Sequence, residues 1–116
     1  MALPKLKGVD TSMKVGKMAG NAQLASEFLK ALAHESRLLI LCLLIDGEKT
    51  VGELEEQLER RQSTVSQQLA RLRLDGLVSA RREGTTIYYR LADEKVQIVL
   101  EALYKAFCGG RSPGRR

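Results

Sequence analysis

Gln62-Ser63-Thr64-Val65-Ser66-Gln67-Gln68-Leu69-Ala70-Arg71-Leu72-Arg73-Leu74-Asp75-Gly76 is the stretch on which the fold turns. Val65, Leu69 and Leu72 recur at helical spacing and make one apolar stripe. Ser63, Thr64, Gln67 and Arg71 are left for the outer surface, with Ser66 and Gln68 on its flanks. The spacing predicts a helix from Gln62 or Ser63 to about Asp75, stopped by Gly76. Its outer face is uncharged but rich in hydrogen-bond donors and acceptors, and Arg60, Arg61, Arg71 and Arg73 border it. Such a face suits base edges and phosphates, but it suits an ordinary solvated surface as well. The neighbouring elements separate the two readings.

Upstream, Thr50-Val51-Gly52-Glu53 has the form of a capping box, and the short helix it opens buries Val51, Leu54 and Leu58. Downstream, a strand from about Leu77 to Arg82 reaches the turn Glu83-Gly84-Thr85 and returns from Thr86 to Leu91. On the return, Ile87, Tyr89 and Leu91 alternate with Tyr88 and Arg90, the period of a half-buried strand. Two helices joined by a short turn and followed by a hairpin have the order of a winged helix-turn-helix, whose second helix enters the major groove of duplex DNA. Gln62, Ser63, Thr64, Ser66, Gln67 and Gln68 then become the candidate base-reading residues. Gln pairs with adenine in a bidentate manner and Ser reaches bases or phosphates. Arg71 on the helix, with Arg81 and Arg82 on the wing, is placed for the phosphates.

Working outward, Leu24, Phe28, Leu29 and Leu32 predict a first helix from about Asn21, as its cap, to Ala33. A second is expected from near Ser36 to Gly47; Leu38 to Ile45 is apolar all round, which predicts burial on every side. Asp93 is expected to cap a last helix to about Cys108, with a stripe of Val96, Val99, Leu100, Leu103 and Phe107 that has to cover its own core or a partner subunit. The fold class is therefore mainly α with a β-hairpin wing. Residues 19–108 form the domain, residues 1–18 a flexible basic arm and residues 109–116 a flexible basic tail.

The 116 residues hold 19 Lys and Arg against 14 Asp and Glu, a net charge of +5. The arm and residues 111–116 contribute +3 each, so the body is close to neutral and its charge is partitioned within it. Glu48, Glu53, Glu55, Glu56 and Glu59 crowd residues 48–59, and seven Arg against two acids occupy residues 60–90. No apolar run approaches the roughly 20 residues that span a bilayer, and the N-terminus lacks the basic-then-apolar order of a secretory signal. Two Cys without a disulfide framework point to the reducing cytoplasm. No Cys-x-x-Cys, no second His and no phosphate loop is present, so an enzyme is not expected, nor a cofactor.

Residues 24–91 resemble the ArsR family of bacterial repressors. The resemblance is carried by Leu32-Ala33-His34-Glu35-Ser36-Arg37-Leu38, by Ser63-Thr64-Val65-Ser66-Gln67-Gln68-Leu69, and by Glu83-Gly84-Thr85-Thr86-Ile87-Tyr88-Tyr89-Arg90-Leu91. It implies a homodimer paired through the first and last helices, bound to a near-palindromic operator, with base contact inherited by Gln62, Ser63, Ser66 and Gln67. The chain departs from the family pattern at Gln68, where a His is common, and at Thr85-Thr86, where the wing tip is often more basic.

Many members of the family sense metals. Here the helix from Val51 to Leu58 has no Cys, the last helix has no His, and the only His is His34. No metal site is expected, because zinc needs about four ligands. Cys42 and Cys108, 66 residues apart, remain as candidate sensor thiols. One Cys in the second helix and one in the last resembles the sulfide-responsive BigR and SqrR type. That likeness implies that persulfide or polysulfide bridges the thiols and releases DNA. A disulfide-only redox sensor, a metal sensor of another design, a thiol-based sulfur carrier or oxidoreductase, and an interaction module that has lost DNA binding stay open beside it. For Cys42 alone, the simplest account is a small buried hydrophobe.

Overall fold

The structure, a computed structural model, describes residues 11–58 and 62–109; of residues 11–13, 62 and 63 it describes the backbone only. The chain divides into two compact units, Met1–Leu32 and Ala33–Arg116. The first contains one described element, α1 (Thr11–Leu32). This helix begins ten residues before the expected start, so Asn21 is not its cap. Asn21 lies mid-helix, and its Nδ2 donates to the Lys17 carbonyl at 3.1 Å, a bond available only within an existing turn. Lys14, Lys17, Met18 and Ala19 are good helix formers, so the helix extends across Gly16 and Gly20, each costing about 1 kcal/mol relative to Ala. Residues 11–18, expected in the flexible arm, are therefore helical. Residues 1–10 of the arm and 110–116 of the tail lie outside the described residues.

The second unit runs α2 (Glu35–Leu43), a 3-10 turn (Leu44–Asp46), β1 (Lys49–Thr50), α3 (Val51–Leu58), α4 (Gln62–Leu74), β2 (Val78–Glu83), β3 (Thr86–Leu91) and α5 (Glu94–Cys108). The three strands form one antiparallel sheet in the order β1-β3-β2. Its core is aliphatic: Ile40, Leu41, Leu54, Val65, Leu69, Leu72 and Leu100 are each at most 1% exposed. The inner stripe of α4 thus lies where the periodicity puts it.

Local chemistry fixes the element ends. At the start of α3, the Thr50 N–H donates to Glu53 Oε1 at 2.8 Å and the Glu53 N–H donates to Thr50 Oγ1 at 3.2 Å, a closed capping box. Asp93 Oδ1 accepts from the Val96 N–H at 3.1 Å and caps α5. After α4, Gly76 takes φ 78°, the Gly76 N–H donates to the Arg73 carbonyl at 3.0 Å, and the Leu77 N–H donates to the Leu72 carbonyl at 2.9 Å. This is the paired 5→2 and 6→1 pattern of a Schellman stop, with Leu72 and Leu77 both buried beneath it. Pairing of Glu83 with Thr86 leaves a two-residue turn led by Gly84 at φ 64°, the sign that matches the twist of the flanking strands.

Two expectations need correction. The apolar α2 segment is not buried on every side: Ile40, Leu41 and Leu44 are buried, but Leu39 is 39% exposed and Cys42 and Leu43 are half-buried. An all-apolar segment shows that no face prefers water, not that every face has a neighbour. The wing also has a third strand, because Lys49 and Thr50 pair with Tyr89 and Tyr88.

Leu69→Ala is expected to lower unfolding free energy by about 2–5 kcal/mol, against less than about 0.5 kcal/mol for Gln67→Ala on the opposite face. Urea melts of both variants check this; equal losses would mean the faces of α4 are assigned wrongly.

Candidate nucleic-acid interface and thiol pair

With Val65, Leu69 and Leu72 turned inward, α4 turns Ser66, Gln67, Ala70 and Arg71 to solvent. Gln67 and Ala70, three residues apart, share the crest of that face. Ala70 went unnoticed in the sequence: a methyl there lets the helix approach a groove closely, and Ala can meet a thymine methyl. Thr64 and Gln68 are half-buried on the flanks. Gln68 Oε1 accepts from Arg37 Nε at 3.0 Å, so this side chain ties α4 to α2 as well as bordering the outer face. Arg71 Nε reaches Asp75 Oδ2 at 3.3 Å along the helix but remains well exposed, a surface pair of small energetic weight that phosphate can displace. The side chains of Gln62 and Ser63 lie outside the described residues, as do Arg60 and Arg61.

On the wing, the two candidate cations are in different situations. Arg82 is exposed, with no ion pair among the described residues. Arg81 is held within the chain. Its Nε donates to Glu48 at 2.8 and 3.0 Å, its Nη2 donates to Glu48 Oε1 at 2.9 Å, and its guanidinium lies 4.5 Å from the centre of the Tyr88 ring. Hydrogen bonding to Arg81 holds the Glu48 carboxyl below the usual carboxylate range, and the same bond raises Arg81. Its Nη1 also lies 3.5 Å from Glu83 Oε1, so Arg81 meets phosphate only in competition with Glu48 and, more weakly, with Glu83. Glu48 stands in the sequence as one acid of a run; nothing local marks it as the partner of an Arg 33 residues away.

The thiols occupy different settings. Cys42, half-buried on α2, lines a cavity of about 420 Å³ that also includes Leu39, Leu43 and Leu58 and is bordered by Tyr104 of α5. Cys108 is exposed at the end of α5, where Gly109 at φ 76° closes the helix. Burial pushes the Cys42 thiol up, and negative charge on Cys108 adds to the rise. Among the described residues, no three His, Cys, Asp or Glu side chains cluster as metal ligands.

A helix pair whose second member turns a polar, Arg-bordered face outward, followed by a hairpin, defines a winged helix-turn-helix DNA-binding domain. Residues 34–80 match the family model for bacterial regulatory proteins of the arsR family. The chain is 45% identical over 106 residues to the transcriptional activator HlyU of Vibrio cholerae, covering 91% of this chain and 96% of that protein. It is 54% identical over 80 residues to the biofilm growth-associated repressor of Agrobacterium fabrum, covering 69% of this chain and 68% of that one. The crystal structure of the transcriptional repressor BigR from Xylella fastidiosa matches with a TM-score of 0.76 and 43% identity, over 80% of this chain and 95% of that one. The chain belongs to the arsR family: it is a DNA-binding transcriptional regulator, not an enzyme.

Glu48→Gln is expected to release Arg81, tighten binding to duplex DNA and steepen the dependence of log K on log salt by about 0.9, the increment for one added phosphate contact on B-DNA. Titrations at several salt concentrations, with Glu101→Gln on exposed α5 as a charge-matched control, read this out; an unaltered slope would show that Arg81 does not reach the backbone.

Proposed function

We propose that the chain is a homodimeric, cytoplasmic repressor that senses reactive sulfur species through Cys42 and Cys108 and leaves its operator when the two are bridged. The observation that carries this reading is a half-buried thiol on α2, at a cavity wall bordered by Tyr104 of α5, with an exposed thiol at the end of that same helix. The likeness to a biofilm growth-associated repressor and to BigR supports repression over activation, although HlyU is named an activator.

Dimerisation has a physical basis. A folded unit this small leaves a large share of its surface uncovered, and Ile98 and Phe107 of α5 are 59% and 83% exposed. Leu24 and Leu29 of α1 are exposed too. Pairing through these helices gives two copies of α4, which read half-sites of a near-palindromic operator about 34 Å apart. Ser66 and Gln67, with Gln62 and Ser63 before them, contact bases. Arg71 and Arg82 hold phosphates, joined by Arg81 once Glu48 yields, and Thr64 and Gln68 border the contact.

The bridge forms by ordinary exchange. A thiolate takes the outer sulfur of a persulfide RSSH, and RSH leaves. The second thiol then displaces hydrosulfide from the new perthiol and closes a disulfide, or two perthiols condense to a trisulfide with loss of one molecule of hydrogen sulfide. A direct disulfide needs Cα atoms within about 7 Å, while interposed sulfur tolerates more. Closing α5 onto α2 changes the spacing of the two reading helices. Emptying an operator that is nearly full requires a bias of roughly 5 kcal/mol against the DNA-competent state.

Gln67→Ala is expected to weaken specific binding by about 1–3 kcal/mol; unchanged operator affinity would remove Gln67 from the base-reading set. Cys42→Ser is expected to bind DNA as before yet stay bound after treatment with glutathione persulfide. Intact masses of the unmodified chain after glutathione persulfide or oxidised glutathione separate the alternatives: a bridge formed with the persulfide but not with oxidised glutathione supports sulfur sensing, and loss of two hydrogens with oxidised glutathione would replace it with a plain redox switch. Normal release by Cys42→Ser sinks the two-thiol reading altogether.

A further inference from the structure

The cavity beside Cys42 has a chemistry of its own. Its volume of about 420 Å³ falls within the roughly 300–1,000 Å³ typical of small-molecule pockets. Leu39, Leu43, Ile45 and Leu58 supply its apolar walls, Gln57 and Tyr104 border it, Asp46 contributes a carboxylate, and among the described residues no Lys, Arg or His lines it. An anion entering this space gives up hydration, finds no cation among the described lining residues to replace it, and meets a carboxylate of like sign. A neutral apolar molecule exchanges water for hydrocarbon contact and arrives with the Cys42 thiol on the wall.

We propose that this cavity admits the sulfur donor and selects neutral dialkyl polysulfanes, with dialkyl trisulfides as the fitting class, over anionic persulfides and polysulfides. The inference rests on the two-thiol reading above and adds which donors reach the thiols.

A dialkyl trisulfide also closes the bridge without a further oxidant. The first thiolate attacks the central sulfur of RS–S–SR. One S–S bond breaks, RS⁻ leaves and takes up the proton the thiol gave up, and Cys–S–S–SR remains. The second thiolate attacks the same central sulfur and expels the other RS⁻, which is protonated in turn. Two thiols and one trisulfide thus become one Sγ–S–Sγ bridge and two RSH; the cysteines lose two electrons and the donor gains them. The product is one sulfur atom longer than a disulfide and suits a pair too far apart for direct closure.

The test exposes the reduced full-length chain to dipropyl trisulfide and, separately, to the near-isosteric trisulfide of 3-mercaptopropionate, which carries a carboxylate at each end. Each rate is divided by the same donor's rate with a free thiol in solution, and intact mass follows the gain of one sulfur with loss of two hydrogens. The neutral donor is expected to bridge the chain roughly tenfold faster after that correction, and Asp46→Lys is expected to narrow the ratio while Glu101→Lys on exposed α5 leaves it alone. Equal corrected rates in the unmodified chain would overturn cavity selection and leave the thiol switch standing. Absence of a bridge with both donors and with glutathione persulfide would instead remove the switch itself. If Asp46→Lys does not fold, the donor ratio of the unmodified chain still decides.

Discussion

The inward seat of Val65, Leu69 and Leu72 on an aliphatic core is the constraint from which the rest of the molecule follows. Three fully buried side chains on one helix leave α4 one rotational setting, since turning it would expose them and bury Gln67 and Arg71 unpaired. That setting decides which polar residues face outward. It also aims the Schellman stop at Gly76, where buried Leu72 and Leu77 send the chain directly into β2. The polar face of α4 and the wing are therefore consequences of a hydrophobic seat that touches no DNA.

What the sequence disclosed is what depends on neighbours a few residues away. The capping box at Thr50 and Glu53, the Asp93 cap, the Gly76 stop, the Gly84 turn and the two faces of α4 are local, and each is legible from spacing and residue type. What it concealed depends on partners far along the chain. Lys49 and Thr50 form too short a strand to show a period, and only pairing with Tyr88 and Tyr89 makes them one. The Arg81–Glu48 clamp spans 33 positions and the Arg37–Gln68 bond spans 31. Residue type alone makes Arg81 and Gln68 DNA contacts, and the fold gives each a second, intramolecular partner. The start of α1 is hidden for a different reason: residues 11–18 lack an apolar stripe, and continuing an existing helix does not require one.

The open face of α2 belongs with these concealed features. Eight apolar residues in a row suggest a helix sealed in the core, yet in this chain the segment divides into a buried side at Ile40, Leu41 and Leu44 and a cavity side at Leu39, Cys42 and Leu43. The division places a half-buried thiol on the wall of the cavity. Burial raises the Cys42 thiol and so lowers its share of thiolate. On the proposed reading this lowered share is useful, because it reserves reaction for donors that enter the cavity or are delivered from Cys108.

The segment that carries Cys42 is also tied to both elements that present side chains to DNA. Five residues before the thiol, Arg37 bonds Gln68 and so holds α2 against α4. Just beyond the 3-10 turn that follows α2, Glu48 grips Arg81 and so holds the same segment against β2 of the wing. A bridge from Cys42 to Cys108 that displaced α2 would pull on the reading helix through one polar bond and on the wing through the other. Polar bonds of fixed geometry suit that task better than apolar contacts, which slide with little change in energy. On the proposed reading, Arg81 and Gln68 would then be the links through which a sulfur atom added on one side of α2 alters the grip on the other.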